Sequence, residues 1–315
     1  MNRRGAATIS RGARRKGRIG LRVILLAAAL VVLIDPTAVF AWGPGTHIQL
    51  ASDILSNLHL LPAAVAALIA AHRRDFTYGN VATDTVLAKK MSKVKQVCHR
   101  WATGMSLLEE AESDAGRAFA YGYLSHLAAD TVAHNKYLPR QMAVSRSTIT
   151  FGHFYWEVRA DARIAAPHWN SLQSLLNGSY PEAERLLASH LTETMLSYKT
   201  NRILFKRMNL LAAEQAWRRS VEFWTRLSRF SLDESVVAEY RAESMARIVD
   251  VLSRGTASTV LHEDPNGNAA LAYARAQRRQ LKQLKRAKIP DYQVIREAAA
   301  GHAPKVNRAM KLSES

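Results

Sequence analysis

The chain has 315 residues, 48% of them hydrophobic, and carries 44 Lys and Arg against 26 Asp and Glu, a formal net charge of +18. That length supports one sizeable core, in one or two domains. The single cysteine, Cys98, excludes an intramolecular disulfide. The positive balance favours anionic partners, whether phosphate esters, acidic lipid surfaces or nucleic acid, without choosing among them.

Residues 1–22 hold eight basic residues and no acid, residues 23–34 form an apolar run, and Asp35, Pro36 and TAVFA follow. A basic segment, a short apolar core and small residues at Val39 and Ala41 form an export signal with cleavage after Ala41. The run is shorter than the ~20 residues that span a bilayer. An uncleaved anchor is the alternative. Cleavage removes eight basic residues and Asp35, lowering the formal charge from +18 to +11, and makes Trp42 the first residue. The mature protein is then periplasmic or secreted.

GPGTH follows, with His47 just ahead of an apolar helix over 48–71 that Pro62 breaks or kinks. Residues 76–95 read as a loop carrying Gly79, Asn80 and Asp84, then Lys89, Lys90, Lys93 and Lys95. The lysines either steer an anionic substrate or form a solvated loop. Cys98-His99-Arg100-Trp101 comes next, and a long amphipathic helix is predicted over 107–134.

Within that helix, YGYLSHLAADTVAHN places His126, Asp130 and His134 four residues apart, hence on one face. That face is also the one its alanines and leucines should bury. Buried imidazole and carboxylate groups are costly unless hydrogen-bonded, paired or coordinated. A metal such as Zn²⁺ resolves the cost with N and O ligands. A solvated polar stripe remains the alternative.

Residues 136–150 read as an irregular connection. FGHFYWEVRADARIAA then puts His153 and Glu157 four apart on another helix. Tyr78, Phe151, Phe154, Tyr155 and Trp156 either wall a substrate pocket or pack the core. Segments 181–197, 210–231 and 235–254 show helical spacing, PNGN at 265–268 marks a turn, and 269–288 is a basic helix. That helix either touches anionic lipid or is simply solvated. With no strand-like alternation, the prediction is an all-α protein of roughly eight helices.

Taken in order, Trp42, GTH with His47, Asp84, HRW with His99, GYLSHLAAD with His126 and Asp130, His134, and HFYWE with His153 and Glu157 resemble the zinc-dependent phospholipase C family. The same superfamily holds the S1/P1-type nucleases and the amino-terminal domain of glycosylphosphatidylinositol-specific phospholipase D. The resemblance covers about 42–160. It implies an all-α domain with a three-zinc cluster. His99, His126, Asp130 and Asp84 would hold one ion. Trp42 (through its amino nitrogen and carbonyl oxygen) and His47 would hold a second, with Asp130 shared. His134, His153 and Glu157 would hold the third. In better-known members the histidine follows the helix aspartate by six residues, often past a proline; here His134 follows Asp130 by four.

The resemblance further implies hydrolysis of a phospholipid phosphodiester by metal-activated water, with Asp84 orienting or deprotonating that water. A monomer acting on phospholipid or another phosphodiester is expected, divided into a catalytic domain at 42–255 and a basic extension at 256–315. An S1/P1-type nuclease is an alternative, although such members commonly carry disulfides. A non-catalytic zinc-binding envelope protein is another.

Overall fold

A computed structural model of the chain describes residues 42–86, 96–145 and 149–300, apart from 193, 195, 229 and 231. The expected export segment, Lys89, Lys90, Lys93, Lys95 and the side chain of Phe151 lie outside the described residues. The described residues are helical, with no β-strand element among them.

Helix α1 spans Pro44–Ser56, with proline in its first turn, where its missing N–H costs nothing. Helix α2 is Ala63–Ala71 and α3 is Arg73–Ala82. The single helix expected over 48–71 is thus two, parted by Asn57, a 3₁₀ turn at Leu58–Leu60 and Pro62. The loop expected from residue 76 is helical through Ala82, followed by a 3₁₀ turn at Thr83–Thr85. Propensity misleads here because Gly79 and Asn80 favour turns in isolation.

Helix α4 covers Trp101–Glu109 and α5 covers Asp114–Val132. The helix expected over 107–134 is therefore interrupted at 110–113. There Ser113 caps α5 by accepting from the Gly116 N–H. From Ala118 to Val132 α5 is buried almost all round, the signature of a central helix. Phe119, Ala120, Tyr123 and Leu127 feed one apolar cluster, whereas Leu124, Ala128, Ala129 and Val132 feed another.

Helix α3 crosses α5 at backbone contact. A Cβ on Gly79 would overlap the Phe119 carbonyl oxygen, and one on Gly122 would overlap that of Phe76. The glycines thus permit an approach that any larger residue would prevent. This contact places Asn80 and Asp84 alongside His126.

Past Val132 the chain widens into a π-helical turn, Ala133–Tyr137, and continues as α6, Leu138–Val144. Part of the segment expected to be irregular is thus helical. Helices α7 (Ile149–Asp161), α8 (Ala166–Leu176), α9 (Pro181–His190), α10 (Tyr198–Ala213) and α11 (Gln215–Arg226) follow. The longest, α12 (Glu234–Arg254), packs along α5. Helices α13 (Asn268–Arg286) and α14 (Tyr292–Ala300) return onto α6. Elements outnumber the expected eight because long apolar patterns divide at Pro62, Ser113 and Glu214.

Among the aromatics weighed as pocket walls, Tyr78 stacks on Tyr180 with ring centroids 3.9 Å apart, and Trp156 is fully buried. Both are core residues. Phe154 is exposed.

Candidate metal centre

The site is built outward from His126 on α5. Its Nδ1 lies 2.8 Å from the Asn80 carbonyl oxygen on α3. A carbonyl only accepts, so this nitrogen carries the ring proton, and the Nε2 lone pair is left pointing the other way. Ligating histidines are commonly oriented by such an outer hydrogen bond. The glycine contact between α3 and α5 is what brings the Asn80 carbonyl within reach.

Opposite that lone pair stands Asp130, one turn along. Its Oδ2 lies 3.3 Å from His126 Nε2, 3.3 Å from His99 Nε2 and 3.7 Å from His134 Nε2. Its Oδ1 lies 3.4 Å from His47 Nε2. Asp84 approaches from the end of α3, 3.3 Å from His99 Nε2 and 3.8 Å from His126 Nε2. Two imidazole nitrogens, of His99 and His126, are themselves 3.3 Å apart. The rings of His47 and His126 stack with centroids 3.8 Å apart. All six residues are buried.

Burial pushes the Asp130 carboxyl up, but His126, His47 and His99 outweigh it and hold the group well below the carboxylate range. Burial, reinforced by neighbouring His126, lowers His47. Asp130 is therefore a fixed anion, and the His47 imidazole beside it resists charging.

His47 lies in the first turn of α1, which a further acid clamps. Asp161, at the end of α7, accepts from the Gly45 N–H at 2.9 Å, the Thr46 N–H at 3.0 Å and the Thr46 hydroxyl at 2.6 Å. A carboxylate is favoured at a helix N-terminus because unpaired N–H groups and the helix dipole converge there. Burial still raises the Asp161 pKa against those three hydrogen bonds. A Cβ on Gly43 would overlap the Asp161 carboxylate, which explains a glycine at that position. Asp161 continues the four-residue spacing of His153 and Glu157, the signal in the sequence that marks it.

His134 falls in the π turn, a local widening that often marks functional sites. Its ring meets that of His153 edge-on, centroids 5.2 Å apart, and His153 Nε2 lies 3.2 Å from Glu157 Oε1. All three are buried. They form a second group beside the Asp130 cluster.

Trp42 contributes differently. Its indole is buried, stacked on Tyr137 with centroids 4.8 Å apart, and its N–H donates to Ser244 Oγ at 3.2 Å. The side chain is an anchor for the start of α1, not a donor to the cluster.

A loop from far along the chain also reaches the site. Asn266 Nδ2 donates to the His99 carbonyl oxygen at 2.9 Å, and Asn135 Nδ2 donates to that of Asp264 at 2.9 Å. Trp101 Nε1 donates to the Glu263 carbonyl oxygen at 2.9 Å. Gly267 has φ +58, and a Cβ there would overlap the His134 carbonyl oxygen. The turn read at 265–268 is thus a strap over the segments bearing His99 and His134. His99, Arg100, Trp101, Asp264 and Asn266 border an open cleft of about 460 Å³.

The residues present suit a metal. Neither nitrogen of His47 and not Oδ1 of Asp130 has a hydrogen-bond partner, though all three atoms are buried. Lone pairs of His126 and Asp130 face each other at 3.3 Å, which is repulsive unless a cation lies between them or the imidazole is charged. Nitrogen and oxygen donors in this mixture match zinc. Two overlapping sets, His47–Asp84–His126 and His99–His126–Asp130, offer ligand atoms within 4.8 Å of one another.

No curated protein and no solved structure matches the chain. The sequence profile of a family described as zinc dependent phospholipase C matches residues 46–204, half of the chain. The match takes in His47, Asp84, His99, His126, Asp130, His134, His153 and Glu157, and it agrees with the helical architecture of the described residues. On these grounds the chain belongs to the zinc-dependent phospholipase C family.

Proposed function

We propose that the protein hydrolyses phosphodiester bonds of phospholipids, with zinc held by the buried cluster. The carrying observation is the convergence of four imidazole Nε2 atoms on the two oxygens of Asp130. The proposed ligand sets are His99, His126, Asp130 and Asp84 for one ion, and His47 with the amino nitrogen and carbonyl oxygen of Trp42 for a second that shares Asp130. His134, His153 and Glu157 serve a third. The amino nitrogen of Trp42 qualifies only if the chain is exported and cut after Ala41.

Zinc supplies Lewis acidity toward phosphate oxygens and makes water a nucleophile near neutral pH. The chain's own groups do the rest. Asp84 is the more open carboxylate of the Asp130 cluster, its side chain 7% exposed against 1% for Asp130. It orients a water for in-line attack on phosphorus and accepts the proton released. Asn80 and Asp161 act through His126 and His47, fixing where those rings point.

Elemental analysis of the processed protein, with turnover of a phosphatidylcholine analogue and of single-stranded DNA with and without chelator, tests this reading. Chelator-sensitive lipid turnover with zinc bound is expected. DNA cleavage instead would make the protein a nuclease, and neither activity at full zinc occupancy would make the centre structural. Asp84→Asn should lower turnover on the order of 10²-fold or more while most metal stays bound. Full activity in that variant removes Asp84 from the chemistry.

A further inference from the structure

Helix α11 is amphipathic in the wrong direction. Its inward stripe is Arg218, Val221, Thr225 and Ser228, all partly buried, with the Arg218 guanidinium 5.9 Å from the Trp169 ring centre. Its outward stripe carries Ala216, Ser220, Phe223, Trp224 and Leu227, at the spacing that lines one helix face. Phe223 is 58% exposed, Trp224 69% and Leu227 53%, and Trp217 on the flank is also exposed. No residue of this helix is buried. Arg219 and Arg226 edge the apolar stripe, and Glu222 is the helix's only acid.

An exposed apolar strip with tryptophan, phenylalanine and leucine on one face and arginine at its edge has the chemistry of an interfacial helix. Indole rings favour the boundary between headgroups and acyl chains, and arginine pairs with anionic phosphate there. A water-facing role for such a stripe has no driving force. Its place in the fold agrees. Helix α11 packs against α7, which bears His153 and Glu157. Ser228, just past α11, is hydrogen-bonded by Arg159 of α7 at 3.3 Å and pairs with the Tyr155 hydroxyl. Phe154, beside His153, is exposed on that same helix.

We infer that the outward face of α11 docks the protein on an anionic phospholipid bilayer, with Phe223, Trp224 and Leu227 in the acyl boundary and Arg219 and Arg226 at the phosphates. This rests on the proposed phospholipid reading for its purpose, but not for its test, which measures docking without turnover. The protein is thereby seated with α7 close to the membrane that supplies its substrate.

Cys98 is the sole cysteine and is buried, so one engineered thiol can be labelled selectively. The full chain with Trp224→Cys carries an environment-sensitive fluorophore, and the control is Glu112→Cys, an exposed position between α4 and α5. Vesicles of non-hydrolysable phosphonate analogues of phosphatidylcholine, with and without the phosphatidylglycerol analogue, are added to the zinc-loaded protein. The label at 224 should shift to the blue on the anionic vesicles and the label at 112 should not. Arg219→Glu with Arg226→Glu should weaken the vesicle dependence on the order of tenfold, because two phosphate contacts are lost.

An unshifted label at 224, or equal shifts at both sites, overturns the inference. A blue shift that needs no vesicles and grows with protein concentration assigns the face to a second copy of the chain, and likewise overturns it. Docking without lipid turnover leaves the surface standing and defeats the enzymatic reading. Turnover of dispersed short-chain lipid without docking does the reverse.

Discussion

On α5 a carboxylate and an imidazole turn toward the buried interior, whereas on α11 two tryptophans and a phenylalanine turn toward water. Both helices run against the ordinary sorting of side chains, in opposite senses. Inside, the imbalance is a concentration of lone pairs and one fixed anion, which a small hard-to-intermediate cation relieves. Outside, it is uncovered apolar area, which a partner surface relieves by covering it. A departure from sorting therefore indicates its missing partner by the kind of cost it carries.

The comparison is most severely tested at Asp130. If α5 is shaped by metal, Asp130→Ala should lower zinc content and reduce turnover by about 10³-fold, at least the loss typical of one electrostatic contact at a reacting centre. Elemental analysis beside the assay decides it, and an unchanged zinc content would break the contrast. Trp224→Ser on α11 should leave zinc content untouched.

Packing provides the next test. Gly122→Ala drives a methyl into the Phe76 carbonyl oxygen and parts α3 from α5. A loss of about 3 kcal/mol is expected from such overpacking. Zinc affinity should fall alongside, because Asn80 and Asp84 ride on the displaced segment. Thermal melts with and without zinc separate the two losses. A variant that is destabilised but binds zinc normally would show that the glycine contact serves the core alone.

The smallest effect concerns the strap. Burial raises the Asp264 carboxyl, but the N–H groups of Asn266 and Asn268 outweigh it, so its folded pKa is lowered. A lowered folded pKa gives stability that is complete above the unfolded value of ~3.9 and disappears as pH falls through the folded value. Asp264→Asn should therefore lower the melting temperature at neutral pH, where the carboxylate contributes fully, and flatten the acid limb so that the two profiles converge at low pH. Superimposable acid limbs would exclude Asp264 from the strap's stability.

Several parts of this were legible in the residues alone. Four-residue spacing located His126, Asp130 and His134 on one side of a helix, and likewise His153 and Glu157. The helical period of α11 was equally plain, yet a period defines a stripe without saying which side of the helix meets the protein. Helix α3 was hidden because Gly79 and Asn80 look like turn residues until the neighbour that requires their small size and carbonyl is known. The π turn at His134 left no trace, since it changes how many residues fill a turn and not which residues they are. Asn266 and Gly267 read as punctuation because their partners, His99 and His134, lie more than a hundred residues away.

The strap has a consequence for the order in which the molecule is made. A chain growing from its amino end produces the histidines long before residues 263–268, so the segments of His99 and His134 must wait for late-arriving backbone to be fastened. Such distant closures are slow steps in folding. The centre should therefore become rigid only once residues 263–268 have closed over it, so that its geometry is among the last features of this region to settle.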